Sequence, residues 1–212
     1  LALVLAVSLL PTAAWAAGTD VSALPEFSEG ADTSTIQKFK ISSADSLKAL
    51  ATAVKDNDGN GAYNLKGLTF YLANDIELSG TWTPISDVAY PADAFAGTFD
   101  GNGHTISGLN ITTQAPNQGL FGLINGATIQ NLKVNGTVSC GKQNNIGGIV
   151  GKMQAGTISQ CSFSGSVTGG YAGGIVGALN STSVTIQNCS NTANINGTTA
   201  GGILGYWKKS AT

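Results

Sequence analysis

Five carboxylates and a histidine in the first half of the chain are the side chains best suited to chemistry: Asp75, Glu77, Asp87, Asp93 and Asp100, with His104. Asp100 and His104 stand four apart across Gly101 and Gly103, so a carboxylate and an imidazole could meet there as an acid–base pair. The same stretch also reads as a tight turn in which Asp100 and Asn102 satisfy backbone amides and His104 is an exposed strand residue, and this is the favoured expectation. All twelve acidic residues lie at or before Asp100, so residues 101–212 carry no carboxylate. Hydrolysis of a glycosidic bond needs a pair of carboxyl groups, and calcium sites draw on several oxygen ligands that usually include carboxylates. A polysaccharide lyase needs a cation or Arg to neutralise the uronate, and in the repeats from Gly101 to Trp207 only Lys133, Lys142 and Lys152 are on offer. His104 is the sole histidine and no Cys-x-x-Cys pair occurs, which speaks against a metal centre. No catalytic, metal-binding or cofactor-binding residue is therefore expected, and the chain is expected not to be an enzyme.

The elements that position these side chains repeat. Gly147-Gly148-Ile149-Val150-Gly151 returns as Gly173-Gly174-Ile175-Val176-Gly177 and as Gly201-Gly202-Ile203-Leu204-Gly205, with an earlier copy at Gly119-Leu120-Phe121-Gly122. The copies recur every 26 to 29 residues. Behind each copy, residues 129–138, 158–167 and 186–195 align without a gap. Within these blocks small or apolar positions alternate (Leu132, Val134, Gly136, Val138), the period of a strand with one buried face. Blocks of this length with glycine corners suit the coils of a parallel β-solenoid. One coil cannot bury its inner face alone, whereas stacked coils pair backbone above and below and close an apolar column. The crossover rule makes the predicted solenoid right-handed. Glycine serves sharp turns and positive φ in such a chain, which accounts for 29 glycines without phosphate-binding loops.

Composition narrows the functional classes. Hydrophobic residues make up 42% of the chain and charged ones 10%, so solubility rests on hydroxyls and amides, as in β-rich extracellular proteins. A net charge of −2 and the absence of Arg argue against nucleic acid as a partner. Nine of the first ten residues are apolar, and Ala14-Trp15-Ala16 follows with the small residues of a cleavage site. Residues 1–16 are thus expected to be a secretory signal peptide whose basic start is missing. The run is broken by Pro11 and too short to span a bilayer, so no membrane insertion is expected of the mature chain.

Residues 17–37 read as an exposed leader and residues 38–61 as a helical region. Ser42 or Ser43 can cap that helix, Asp45 favours its first turn, and Leu47, Leu50, Ala51 and Val54 fall on one face. Such a helix ahead of a solenoid is expected to cover the first coil. Residues 62–207 form the predicted β-helix. In it, Ile106, Leu109 and Ile111 match Ile129, Leu132 and Val134 in spacing, while Asn131, Gln160 and Asn188 share one corner as a side-chain amide ladder begun by Gly108. Cys161 and Cys189 occupy the repeat position of Leu132 and are expected to stack as buried thiols, a disulfide between them being allowed by distance. Residues 208–212 stop part way through a coil, so further domains of the same polypeptide are expected. Trp82, Tyr90 and Tyr171 are the candidate contact aromatics.

The glycine-bounded apolar pairs, together with the run from Phe99 to Ile106 and with Asn74-Asp75-Ile76-Glu77-Leu78, resemble the GLUG-motif repeats of bacterial secreted and surface proteins. The resemblance covers roughly residues 37 to 207. Such repeats also occur near the front of some IgA-cleaving metallopeptidases and in adhesin-like proteins, although the zinc motif His-Glu-x-x-His is absent here. The resemblance implies a secreted or bacterial cell-surface adhesion or binding scaffold that contacts glycans or extracellular proteins. The alternative is the leading portion of an exported peptidase or polysaccharide-degrading enzyme whose catalytic residues lie beyond residue 212.

Overall fold

The computed structural model describes residues 26–27, 38–55, 65–87, 91, 94–181 and 183–208. The expected signal peptide, most of the leader, Tyr90 and Asp93 lie outside them. The chain runs through β1 (Glu26–Phe27), β2 (Lys38–Ile41), α1 (Ala44–Lys55), β3 (Thr69–Leu72), β4 (Ile76–Glu77), β5 (Thr98–Asp100), β6 (Thr105–Ile111), β7 (Phe121–Gln130) and β8 (Lys133–Ser139). It continues through β9 (Ile146–Gly147), β10 (Val150–Ser159), β11 (Ser162–Gly173), β12 (Val176–Leu179), β13 (Val184–Gln187), β14 (Ser190–Asn191), β15 (Asn194–Gly201) and β16 (Leu204–Trp207).

Successive windings alternate between two sheets. One has the order β1-β2-β3-β5-β7-β10-β12-β16, with β13 also on β10; the other has β14-β11-β8-β6-β4, with β9 and β15 also on β11. Pairing is parallel apart from β1 with β2. The result is a parallel β-solenoid of about five turns with, among the described residues, one short helix near its start. Among the described residues no helix is long and apolar enough to cross a membrane.

The repeat alignment read from sequence is the register of the sheets. Ile158 lies between Ile129 and Ile186, Phe163 between Val134 and Asn191, and Val167 between Val138 and Ile195. Each file is a column of apolar side chains shared by neighbouring windings, and Ile129, Val138, Ile158 and Val167 have no exposed surface. Towards the start of the chain the first of these columns turns aromatic: Phe39, Phe70 and Phe99 lie in successive strands below Ile129. Phe39 stacks on Phe70 at 5.2 Å and Phe99 meets Phe121 edge-on at 5.3 Å, favoured geometries for aromatic pairs.

One winding is registered differently from the expectation. Ile106 pairs with Val134 and Ile111 with Val138, while Phe99 takes the place opposite Ile129. The apolar spacing fits both registers, but four turn residues, Gly101 to His104, stand where the next winding has two, Asn131 and Leu132. Gly108 sits instead at a bulge within β6, with φ 72°, and begins no amide row. The motif glycines also act differently from the turn glycines. A Cβ on Gly151 or Gly205 would run into the backbone of Gln118 or Ala172, because the chain at these corners passes close against another segment of backbone.

Helix α1 begins as its sequence requires. Ser43 Oγ accepts from the Ser46 amide at 3.1 Å, and Ser46 Oγ accepts in return from the Ser43 amide at 3.0 Å, a reciprocal cap made by two serines. Leu47, Leu50 and Val54 are buried in the same apolar cluster as Ile41, Leu72 and Ile76. The helix follows β2 and precedes β3, so it occupies the part of the first winding that later windings give to the second sheet. Glu26 and Phe27, within the predicted leader, pair antiparallel with Lys40 and Phe39 and close the free edge of β2.

Candidate functional site

The turn after β5 gathers most of the chain's polar chemistry. Asp100 Oδ1 accepts from the Asn102 amide at 2.8 Å and from Asn131 Nδ2 at 3.0 Å, and its Oδ2 accepts from Gln130 Nε2 at 2.8 Å. Its carboxylate thus holds the turn and ties it to the next winding. His104 meets the preceding winding, its Nδ1 3.2 Å from Asp75 Oδ1. The same Asp75 oxygen accepts from the Thr105 amide at 2.9 Å. Donation by the Thr105 amide, then the hydrogen bond with His104, keeps the exposed Asp75 carboxyl below the usual carboxylate value. Lys133 continues this file, since Thr105 pairs with Lys133. Asp75, Thr105 and Lys133 therefore form a surface column across three windings, with His104 at its side. Glu77 is exposed on the same face, two residues along from Asp75 and paired with Ser107, and Asp87 is also exposed. Among the described residues no group of three or more His, Cys, Asp or Glu could hold a metal ion.

The corner residues Asn131, Gln160 and Asn188 share left-handed backbone, with φ of 52°, 53° and 53°. That conformation, tolerated by amide residues, is what the position demands. The side-chain amide pair between windings forms at another corner, where Asn145 Nδ2 donates to Asn117 Oδ1 at 2.8 Å.

The contact aromatics fall in different places. Trp82 is 4% exposed, and its indole N–H donates to the Leu120 carbonyl at 3.1 Å, so its ring packs in the interior. Tyr171 is half-buried and stacks on Tyr206, with ring centroids 4.2 Å apart and 14° between planes. Sequence reading missed Tyr206, because 171 and 206 are not one repeat apart; the rings meet across the glycine corner where Gly205 backs onto Ala172. Trp207 is 53% exposed but lies over the buried column of Met153 and Leu179.

The outer face of the second sheet has a different character. Lys133, Ser162 and Ser190 form one row across the windings, Asn110, Thr137, Ser166 and Asn194 another, and Ser139, Thr168 and Asn196 a third. These side chains are exposed or half-exposed. Some rows are linked by their own hydrogen bonds, with Asn135 Nδ2 donating to Ser164 Oγ at 2.9 Å and Ser166 Oγ to Thr137 Oγ1 at 3.4 Å. Strands about 4.8 Å apart thus present a regular lattice of hydroxyl and amide groups.

Of the three free cysteines, Cys140 and Cys161 are buried, whereas Cys189, expected to be buried too, is half-buried. Cys161 and Cys189 stand in one file with Leu132: the Ser162 amide donates to the Leu132 carbonyl at 2.9 Å and the Ser190 amide to the Cys161 carbonyl at 3.0 Å. Cys140 lies elsewhere, and burial pushes its thiol up to about 11.

A parallel solenoid with glycine-marked corners, a polar outer lattice and an apolar inner column defines the class, a coil-stacking repeat protein. Within that class, residues 143–168 match the GLUG motif. The chain is 39% identical over 105 residues to Halomucin from Haloquadratum walsbyi, a match that takes in 48% of this chain and 1% of Halomucin. The fold is similar, with a TM-score of 0.53 and 18% identity, to a crystal structure from Bacteroides ovatus provisionally described as an immunoglobulin A1 protease. That similarity covers 82% of this chain and 62% of the other.

Proposed function

We propose that this chain is a non-catalytic scaffold of a secreted or cell-surface protein, and that the outer face of its second sheet binds glycans or the surfaces of extracellular proteins. The observation that carries this reading is the lattice of Ser, Thr and Asn side chains in register across successive windings. From Gly101 onward that face has no carboxylate, so its chemistry is donation and acceptance of neutral hydrogen bonds together with Lys133. A hydroxyl-rich polymer offers the complementary set of donors and acceptors. The apolar segment ahead of Ala17 and the likeness to Halomucin support placement outside the cell. Asp100 is taken up in holding its turn, which favours the scaffold over an acid–base centre.

The test is a glycan array probed with the 212-residue chain, repeated with Thr137→Glu and Ser166→Glu together. Binding to defined glycans that the double change abolishes supports the proposal, and uniform blanks count against it. Hydrolase and lyase assays on a polysaccharide panel address the enzyme alternative. Turnover that disappears with Asp75→Asn or His104→Ala would overturn the scaffold reading.

A further inference from the structure

We propose that Cys161 and Cys189 are a dithiol that closes to a disulfide between adjacent windings by exchange with a small-molecule disulfide, Cys189 reacting first and Cys161 second. The geometry comes from the stack. Cys161 Sγ lies 3.2 Å from the Ser159 carbonyl oxygen and 3.7 Å from that of Ile129; Cys189 Sγ lies 3.3 Å from that of Gln187 and 3.7 Å from that of Ile158. The two side chains therefore repeat one arrangement, displaced by one winding. Strands at that spacing, about 4.8 Å, fall inside the Cα separation of roughly 4.4–6.8 Å that a disulfide bridges. To bond, each side chain must turn about its Cα–Cβ bond, away from the carbonyl oxygens it now faces and towards the other sulfur.

Access makes the two thiols unequal. Cys161 is 1% exposed, whereas Cys189 is half-buried in the last described winding. Their electrostatics divide in the same sense. A thiolate at Cys189 would accept a hydrogen bond from the Cys161 thiol, which lowers Cys189 to about 6; the same pairing, with burial, pushes Cys161 well up.

The exchange balances as two displacements. The Cys189 thiolate attacks one sulfur of the incoming disulfide, forming a mixed disulfide and releasing one thiolate. Cys161 then loses its proton to solvent and attacks Cys189 Sγ, forming the bond between windings and releasing the second thiolate. The two protein sulfurs are oxidised and the small disulfide is reduced to two thiols.

Trypsin isolates the pair, because the chain has no Arg and no Lys between Lys152 and Lys208, so residues 153–208 form one peptide and Cys140 falls in another. The reduced 212-residue chain is placed in glutathione redox buffers, then denatured, alkylated and weighed peptide by peptide. The expected result is a 153–208 peptide lighter by two hydrogens that takes up no alkyl group, with Cys140 fully alkylated. In the folded chain Cys189 should react with oxidised glutathione at least about tenfold faster than buried Cys140. Cys161→Ala should stop at a Cys189–glutathione mixed disulfide, and Cys189→Ala should leave Cys161 unreacted. Wild-type chain that keeps both thiols alkylatable in oxidised glutathione, halts at the mixed disulfide, or links two chains through Cys189 would overturn the proposal. These three readouts use the wild-type protein and hold even if a variant fails to fold.

Discussion

The two ends of the stack bury the same kind of side chain to different degrees. At the start, Ile41, Leu72 and Ile76 are as buried as residues in the middle, because α1 lies among them and β1 pairs with the edge of β2. In the last described windings, Ile186, Ile195 and Ile203 pack against the core but remain half-exposed, although Ile158 and Val167, one winding earlier, have no exposed surface. Burial in a solenoid thus belongs to the stack and not to the repeat: a position becomes interior when something covers it on both sides. Polar substitution follows the same gradient. The column of Val134 and Phe163 continues to Asn191, whose Oδ1 accepts from the Ala193 amide at 3.1 Å and so satisfies itself locally.

This contrast predicts a ranking of effects. Leu47→Ala and Ile158→Ala, under the helix and in the middle of the stack, should each cost about 2–5 kcal/mol in chemical denaturation, while Ile186→Ala should cost about 1 kcal/mol. Equal losses at Ile158 and Ile186 would break the comparison. Ser43→Ala removes the reciprocal cap and should cost about 1 kcal/mol, with the loss confined to the first winding when amide exchange is followed. Tyr206→Ala should cost about 0.5–1.5 kcal/mol beyond its lost burial if the stack with Tyr171 holds the last winding in place.

The smallest effect concerns pH. Asp75 has a lowered pKa in the folded chain, so its contribution is fully present above the unfolded value near 3.8 and is lost as pH falls through the folded one. Carboxyl NMR should show Asp75 titrating below 3.8, and Thr105→Pro, which removes the donating amide, should raise it. An unchanged midpoint in that variant would remove the proposed cause.

Much of this was legible in the sequence because a gapless repeat fixes register. Ile129, Ile158 and Ile186 could be placed in one file from spacing alone, and Leu132, Cys161 and Cys189 likewise. The winding from Phe99 to Ile111 was misplaced because an apolar spacing pattern cannot count the residues of a turn, and Gly101 to His104 add two. The partner of His104 was missed because proximity in sequence pointed to Asp100, whereas stacking brings Asp75 from 29 residues earlier. Tyr206 was invisible for a related reason, since contacts across a corner do not follow the repeat interval. The polar lattice, by contrast, was present in the alternation of the aligned blocks, which set Ser, Thr and Asn outward wherever apolar residues turn in.

The stacking register is most directly tested by NOE contacts between windings in isotope-labelled protein. The account predicts contacts from Ser162 NH to the Leu132 residue, from Ser190 NH to the Cys161 residue, and between the Ile129, Ile158 and Ile186 backbones in sequence. Their absence, or a pattern offset by one residue that turns the Leu132, Cys161 and Cys189 file outward, would contradict it.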